Sequence, residues 1–300
     1  MKIAKLEDIY PHIRGMQKRR LVVANPVDHH SLGAVAKAVE LGLVDAVLVG
    51  DESRIKEVCM ELGISTDKFQ IEHVDATENP AQRAVQLIHE GAGEVLMKGL
   101  VNTDVYMRAI LNKEHGLLPA KAVLSHITVL QNPVYHKLLV VSDVAIIPNP
   151  DLKQKTAMIG YLIKTAKALG VEIPKVAVIA ATEQVLPGMV ACTDAALLSK
   201  MADRGQIKGA IVDGPLALDV AMDSEAAKIK GIASPVAGDA DCLLFPNIEA
   251  GNVFYKVNTK LCKSEQATIV AGAKVPCILS SRGDTMETKL NSIALSALLG

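Results

Sequence analysis

Cys242-Leu243-Leu244-Phe245-Pro246-Asn247-Ile248-Glu249-Ala250-Gly251-Asn252 reads as a short apolar strand that runs into a polar turn and opens a helix. Further on, Leu279-Ser280-Ser281-Arg282-Gly283-Asp284-Thr285 repeats that layout. In α/β proteins such junctions bind ligands, because the N–H groups that start a helix have no partner within it and point outward. The second junction sets the Ser281 hydroxyl beside the Arg282 guanidinium, whose planar fork can bond two oxygens of a phosphate at once. Together they point to phosphate handling without a nucleotide-triphosphate motif.

The same alternation extends outward in both directions. Leu21-Val22-Val23-Ala24 and Ala46-Val47-Leu48-Val49 read as strands, each followed by a helical pattern that stops at a glycine, Gly42 or Gly63. Asn79-Pro80 supplies an N-cap and a first-turn proline for another helix. Val95-Leu96-Met97-Lys98-Gly99 is a further strand, leading into a helix at Thr103–Leu111. Lys113 to Pro133 breaks the rhythm, with a strand expected at Ala122 to Leu124, and is read as a domain crossing. Beyond it, Leu138 to Ser142 and Val144 to Ile147 are expected as strands. Asp213-Gly214-Pro215 is expected as a tight turn, and Asp219 to Lys228 as a helix. Strongly apolar strands separated by helices mean parallel sheets covered on both faces.

Composition narrows the class. The chain has 300 residues, 50% of them hydrophobic, enough for a full core and about two domains. Its 32 basic and 33 acidic residues give a formal charge of −1, so nothing electrostatic points to nucleic acid or an anionic membrane. The absence of Trp, with only 3% aromatic residues, further weakens a base-stacking role. Acidic residues near the start, Glu7 and Asp8, speak against a signal peptide. No apolar run approaches the roughly 18 residues needed to span a bilayer. The five cysteines have neither zinc spacing nor a disulfide-framework pattern, and a reduced cytoplasm is expected.

Familiar signatures are missing. There is no G-x-x-x-x-G-K-[ST], no dinucleotide G-x-G-x-x-G, no G-x-S-x-G and no H-E-x-x-H. His29-His30 are read as polar residues of a helix entry. Pro148-Asn149-Pro150-Asp151 fixes a turn in which Asn149 or Asp151 can cap the next helix.

In order along the chain stand Lys98-Gly99 with Thr103 and Arg108, the Ser142 to Asp151 turn, Asp213-Gly214-Pro215 and Ser234-Pro235-Val236-Ala237-Gly238. Phe245 to Asn252 and Ser281-Arg282-Gly283 follow, and are the specific matches. This succession resembles the phosphate acetyltransferase and phosphate butyryltransferase family over nearly the whole chain. Met97-Lys98-Gly99 and the Ser281 to Leu290 tail look more like the butyryl branch.

The resemblance implies two α/β/α domains similar to isocitrate and isopropylmalate dehydrogenases, usually dimeric, with the active site in the interdomain cleft. Residues 1–120 plus 277–300 would form one domain and 121–276 the other. The implied reaction is reversible acyl transfer between coenzyme A and inorganic phosphate, with acyl-CoA and acyl phosphate as partners. Coenzyme A is then a substrate, and no cofactor or metal is expected. A homodimer in the cytoplasm is expected.

That chemistry makes definite demands. A coenzyme A thiol has a pKa near about 8.5, so a base or positive field must favour the thiolate. The tetrahedral oxyanion needs donors and the departing phosphate a cation. Arg282 is expected on the phosphate and Ser281 at the reacting centre. In the acetyl enzymes of the family an aspartate seven residues beyond that serine is the proposed base, and here the position is Thr288. Glu287 and Asp284 are the carboxylates at hand, with Glu287 favoured; it alternatively complements the helix dipole. Lys98 is a candidate second cation, and Gly99, Thr103 and Asn149 are candidate substrate or coenzyme A contacts. Asn247, Glu249, Gly251 and Asn252 would line the other junction. Arg83 and Arg108 lie on expected helices as surface ion-pair residues.

Two other classes make different demands. A metal-dependent hydroxyacid dehydrogenase on the related fold needs an aspartate cluster, for which Asp213, Asp219 and Asp223 are candidates in one segment. A coenzyme A or acyl-phosphate binding protein with little catalysis is the other reading, motivated by the missing aspartate.

Overall fold

The computed structural model describes residues 3–281 and 283–300; Met1, Lys2 and Arg282 lie outside the described residues. In chain order the strands are β1 (Arg19–Ala24), β2 (Val44–Gly50), β3 (Gln70–His73), β4 (Val95–Lys98), β5 (Ser125–Gln131) and β6 (Leu139–Ser142). Then come β7 (Lys175–Ile179), β8 (Ile211–Leu216), β9 (Cys242–Leu244), β10 (Glu265–Ala271) and β11 (Cys277–Ile278). The helices are α1 (Ile9–Arg14), α2 (His29–Glu40), α3 (Glu52–Glu61), α4 (Pro80–His89), α5 (Thr103–Leu111) and α6 (Leu152–Ala168). The rest are α7 (Val190–Asp203), α8 (Leu218–Met222), α9 (Ser224–Ile229), α10 (Ile248–Lys260) and α11 (Met286–Leu299).

The chain divides into two compact units. One holds Leu6–Leu124 with Gln266–Gly300, the other residues 3–5 with Ser125–Glu265. In the first unit the strand order is β3-β2-β1-β4-β11-β10. Its pairs are parallel except β10 with β11. In the second the order is β5-β6-β9-β7-β8, parallel except β5 with β6. Each sheet therefore meets the expectation of a parallel-rich α/β architecture.

Burial explains the strand pattern. Leu21, Val22, Val23 and Ala24 of β1 are all fully buried although alternate side chains point to opposite faces, so both faces of that strand are covered. A buried aliphatic side chain contributes roughly 1.5–3 kcal/mol, which makes such a run a central strand. Caps set the helix starts. Asp28 accepts the Ser31 N–H at 2.8 Å, and Asn79 the Ala81 N–H at 2.9 Å. Asp151, not Asn149, begins α6, in a reciprocal capping box with Gln154.

Four local expectations need correction. The strand expected at Ala122 to Leu124 instead runs Ser125–Gln131. Its Ser125 and Thr128 look like loop residues in sequence, but their hydroxyls bond Ser142 Oγ (2.7 Å) and His126 Nδ1 (3.4 Å) inside the fold. Val144 to Ile147 forms no strand. Asp143 Oδ1 accepts the Ala145 and Ile146 N–H groups at 2.8 and 2.9 Å and turns the chain locally. Asp213-Gly214-Pro215 lies within β8, where a Cβ on Gly214 would stand 2.7 Å from the Val178 carbonyl oxygen. The helix expected at Asp219 to Lys228 is two short ones, because Asp223 adopts an extended backbone and caps Glu225.

Candidate active site

In the first unit the loops after β1, β4 and β11 lie at adjacent strand ends. Ala24 pairs with Lys98 across β1 and β4, and Met97 with Ile278 across β4 and β11. From β1 the chain builds β2 and β3 on one side, then returns with β4 on the other. The carboxyl ends of β1 and β4 thus flank the topological switch point, where open α/β sheets bind ligands.

Gly99 is fixed there by packing. A Cβ on it would lie 2.4 Å from the Asn25 carbonyl oxygen, so the β4 loop can approach the β1 loop only with glycine. The Gly99 N–H donates to Ala24 O (2.8 Å) and the Leu100 N–H to Asn25 O (2.7 Å). The Asn25 side-chain amide returns a bond to Leu100 O at 2.9 Å. Lys98 is 3% exposed. Its ammonium donates to the carbonyls of Gly99 (3.3 Å) and Val101 (3.2 Å), bracing the loop that leads to exposed Thr103 at the start of α5.

The loop after β11, where the sequence places Ser281 and Asp284, forms a tight turn. Asp284 Oδ2 accepts the Ser281 N–H at 2.6 Å, and the Asp284 N–H donates to Ser281 O at 3.2 Å. The exposed Ser281 hydroxyl accepts the Gly283 N–H at 3.3 Å. Arg282, the expected phosphate ligand, lies outside the described residues. Thr285 caps α11 by accepting the Thr288 N–H at 3.1 Å. Thr288 itself is buried and its hydroxyl accepts from Thr285 at 3.2 Å, so it serves the cap. Glu287 is exposed in the first turn of the helix.

Sequence reasoning missed Lys289. It is 3% exposed, and its ammonium donates to Ser280 Oγ at 2.9 Å and to Ser281 O at 3.3 Å. Burial pushes its pKa below the usual lysine value, although the carboxylates of Asp28 and Asp284 pull the other way. The signal was a lone lysine in a helix that is otherwise apolar or small from Leu290 to Leu299.

Asn149, Asn247, Glu249, Gly251 and Asn252 belong to the second unit, after the adjacent parallel strands β6 and β9. Three of them have structural work. Asn247 caps α10 by accepting the Ala250 N–H at 3.0 Å. A Cβ on Gly251 would stand 2.0 Å from the Asp143 carbonyl oxygen, so α10 packs directly on the β6 loop. The Asn252 amide donates to Val144 O at 2.8 Å. Glu249 and Asn149 are exposed. Buried Asp143 was not singled out either; its Oδ2 accepts from Ser125 Oγ (3.0 Å) and the His126 N–H (3.2 Å).

The remaining candidates have partners of their own. Asp213 accepts from Ser199 Oγ and the Gly214 N–H, Asp219 pairs with Lys230, and Asp223 caps α9. Among the described residues no group of three or more His, Cys, Asp or Glu side chains is placed to hold a metal ion. Arg83 pairs with Glu72 and Glu90, Arg108 with Asp104, and His29 with Glu61 at the surface. No helix among the described residues is long and apolar enough to cross a membrane.

Comparison with known proteins agrees with the sequence resemblance. The family described as Phosphate acetyl/butaryl transferase matches residues 74–297. The chain is 43% identical to a phosphate butyryltransferase of Clostridium acetobutylicum, over 99% of this chain and 98% of that one. It is 42% identical to a phosphate acetyltransferase of Thermotoga maritima, over 98% and 99%. Its structure resembles that of a branched-chain phosphotransacylase from Enterococcus faecalis, with a TM-score of 0.81 at 27% identity over 93% and 98%. The chain, with its Ser281 turn at the end of β11 and its glycine-braced switch point, belongs to the phosphate acetyl/butaryl transferase family.

Proposed function

We propose that this chain transfers a short acyl group reversibly between coenzyme A and inorganic phosphate, giving acyl phosphate and free coenzyme A. The observation that carries this is the near end-to-end identity with relatives named for that activity. The exposed Ser281 turn supports it, because it offers a hydroxyl at a sheet's carboxyl edge, on the residue that precedes Arg282 in sequence.

In the direction of acyl-CoA formation, the coenzyme A thiol loses its proton and its sulfur attacks the acyl carbonyl. The tetrahedral oxyanion collapses and phosphate leaves. Arg282 binds the phosphate through its fork, and Ser281 donates to the reacting centre. Glu287 is the thiol base in this reading. The engagement of Asp284 with the Ser281 N–H favours Glu287 over it, since Asp284 is already committed to holding the turn while Glu287 stands exposed. Lys98, Gly99 and Thr103 shape the neighbouring loop for phosphate or coenzyme A, while Asn149, Asn247, Glu249, Gly251 and Asn252 remain candidate contacts on the second unit. Coenzyme A acts as a substrate, with no further cofactor. A homodimer and a cytoplasmic location accompany the reading.

The butyryl branch is the preferred assignment, carried by Met97-Lys98-Gly99 and the Ser281 to Leu290 tail. The test is thiol release from acetyl-, propionyl-, butyryl- and isobutyryl-coenzyme A in phosphate buffer. Phosphate-dependent release is expected, fastest with a four-carbon group. A marked preference for acetyl-coenzyme A overturns the branch assignment. Tight coenzyme A binding with no release from any of the four favours the binding-protein reading.

A further inference from the structure

Lys289 is an expensive residue where it stands. It lies one turn into α11, near the positive end of the helix dipole, which disfavours a cation. It is buried, and among the described residues its hydrogen-bond acceptors, Ser280 Oγ and Ser281 O, are both neutral. An apolar side chain of similar length would pack there at less cost in desolvation. What the ammonium does in return is hold Ser281. The Ser281 carbonyl accepts from Lys289 and its N–H donates to Asp284, so opposite charges grip the residue at both ends of its backbone. The Ser280 hydroxyl is tied to the same ammonium.

We propose that Lys289 is a positioning residue for acyl transfer, a buried cation whose bonds to Ser280 and Ser281 hold the Ser281 turn in its reactive geometry. The inference rests on the acyltransferase reading above and adds to it a group that acts through Ser281. Among the described residues, the charged groups that act on Lys289 are Asp28, at the N-cap of α2, and Asp284 in the turn itself. Helix α1 contributes Tyr10, whose hydroxyl goes to Asn291. Only protonated Lys289 can make both bonds with a full charge, so the turn loosens as pH rises through a pKa lying below the usual lysine value.

The experiment measures coenzyme A release from butyryl-coenzyme A and phosphate across the neutral to alkaline range for the wild type, Lys289→Met and Lys289→Arg. Thermal unfolding is followed in parallel. Lys289→Met should lower kcat by about 10²-fold, the scale of a misplaced reacting group, with KM for the acyl donor little changed. Its Tm should hold or rise, since an apolar group replaces a buried charge. Lys289→Arg should recover much of kcat and carry the alkaline limb of the pH profile upward, because guanidinium stays charged. A Lys289→Met enzyme with near wild-type kcat overturns the proposal. If that variant fails to fold, Lys289→Arg decides. An alkaline limb unmoved from the wild type overturns the role, and a shifted one supports it. Wild-type turnover separates the two claims: its absence sinks the acyltransferase reading, while its presence with an unaltered Met variant sinks only Lys289.

Discussion

The carboxylate of Asp284 accepts the backbone N–H of Ser281 at 2.6 Å, closing the turn that presents the Ser281 hydroxyl. The contact separates two acids that look interchangeable in sequence. Asp284 is occupied as a turn former, and Glu287 stands exposed on the next helix.

Glu287→Gln keeps the shape and removes the proposed base. Turnover should fall by roughly 10²-fold or more while KM for the acyl donor changes little, because that proton moves only during reaction. Steady-state kinetics in the acyl-CoA-forming direction give the answer. Full turnover in this variant removes Glu287 from the mechanism.

Asp284→Asn should act differently, since it weakens the grip on the Ser281 N–H while leaving Glu287 in place. Both kcat and KM for phosphate should worsen, with a lower Tm. A collapse of kcat alone, at unchanged Tm and KM, would transfer the role of base to Asp284.

Arg282→Lys keeps the charge but loses the fork. Its kcat/KM for phosphate should drop by at least about tenfold, because a lysine cannot form the paired bonds to two oxygens. Initial-rate measurements at varied phosphate concentration test this, and equal activity of the two enzymes would mean that charge alone suffices.

Gly251→Ala forces a methyl group onto the Asp143 carbonyl oxygen, where the ideal Cβ stands 2.0 Å away. Overpacking of this kind typically costs about 1–3 kcal/mol. Urea unfolding should show the loss as a lower midpoint; an unchanged midpoint would mean that α10 moves off the β6 loop freely.

The acid stability of the second unit should depend on Asp239. Burial raises its pKa, but hydrogen bonds from Lys137, Lys175 and His136 outweigh that and hold the carboxyl well below the usual range. A depressed folded-state pKa contributes stability above the unfolded value of about 3.9 that is lost as pH falls toward the folded one. Asp239→Asn should therefore lower Tm at neutral pH, and the gap to the wild type should narrow on acidification below about pH 4. Melting curves across that range check it, and a gap that stays constant contradicts the ion-pair account.

Much of this protein was legible in its sequence. The central strands declare themselves because runs such as Leu21–Ala24 have no polar residue to send to solvent. Helix starts were readable where Asn79-Pro80 or Asp151 supplies a cap, since capping is a contact within a few residues. The family and the Ser281 turn were readable because the order of short motifs survives in the chain itself. Tertiary structure alone decided the rest. The strand β5 was hidden because Ser125 is satisfied by partners that no local pattern reveals, Ser142 and Asp143. The same holds for Gly99 and Gly251, whose need for a missing Cβ comes from carbonyls on distant loops. It holds for Lys289 too: a lysine on a helix reads as a surface charge until α11 is buried from Thr288 to Leu299 and the ammonium meets the Ser281 carbonyl. Local sequence fixes which backbone hydrogen bonds a segment can make, whereas burial depends on what the rest of the chain brings against it.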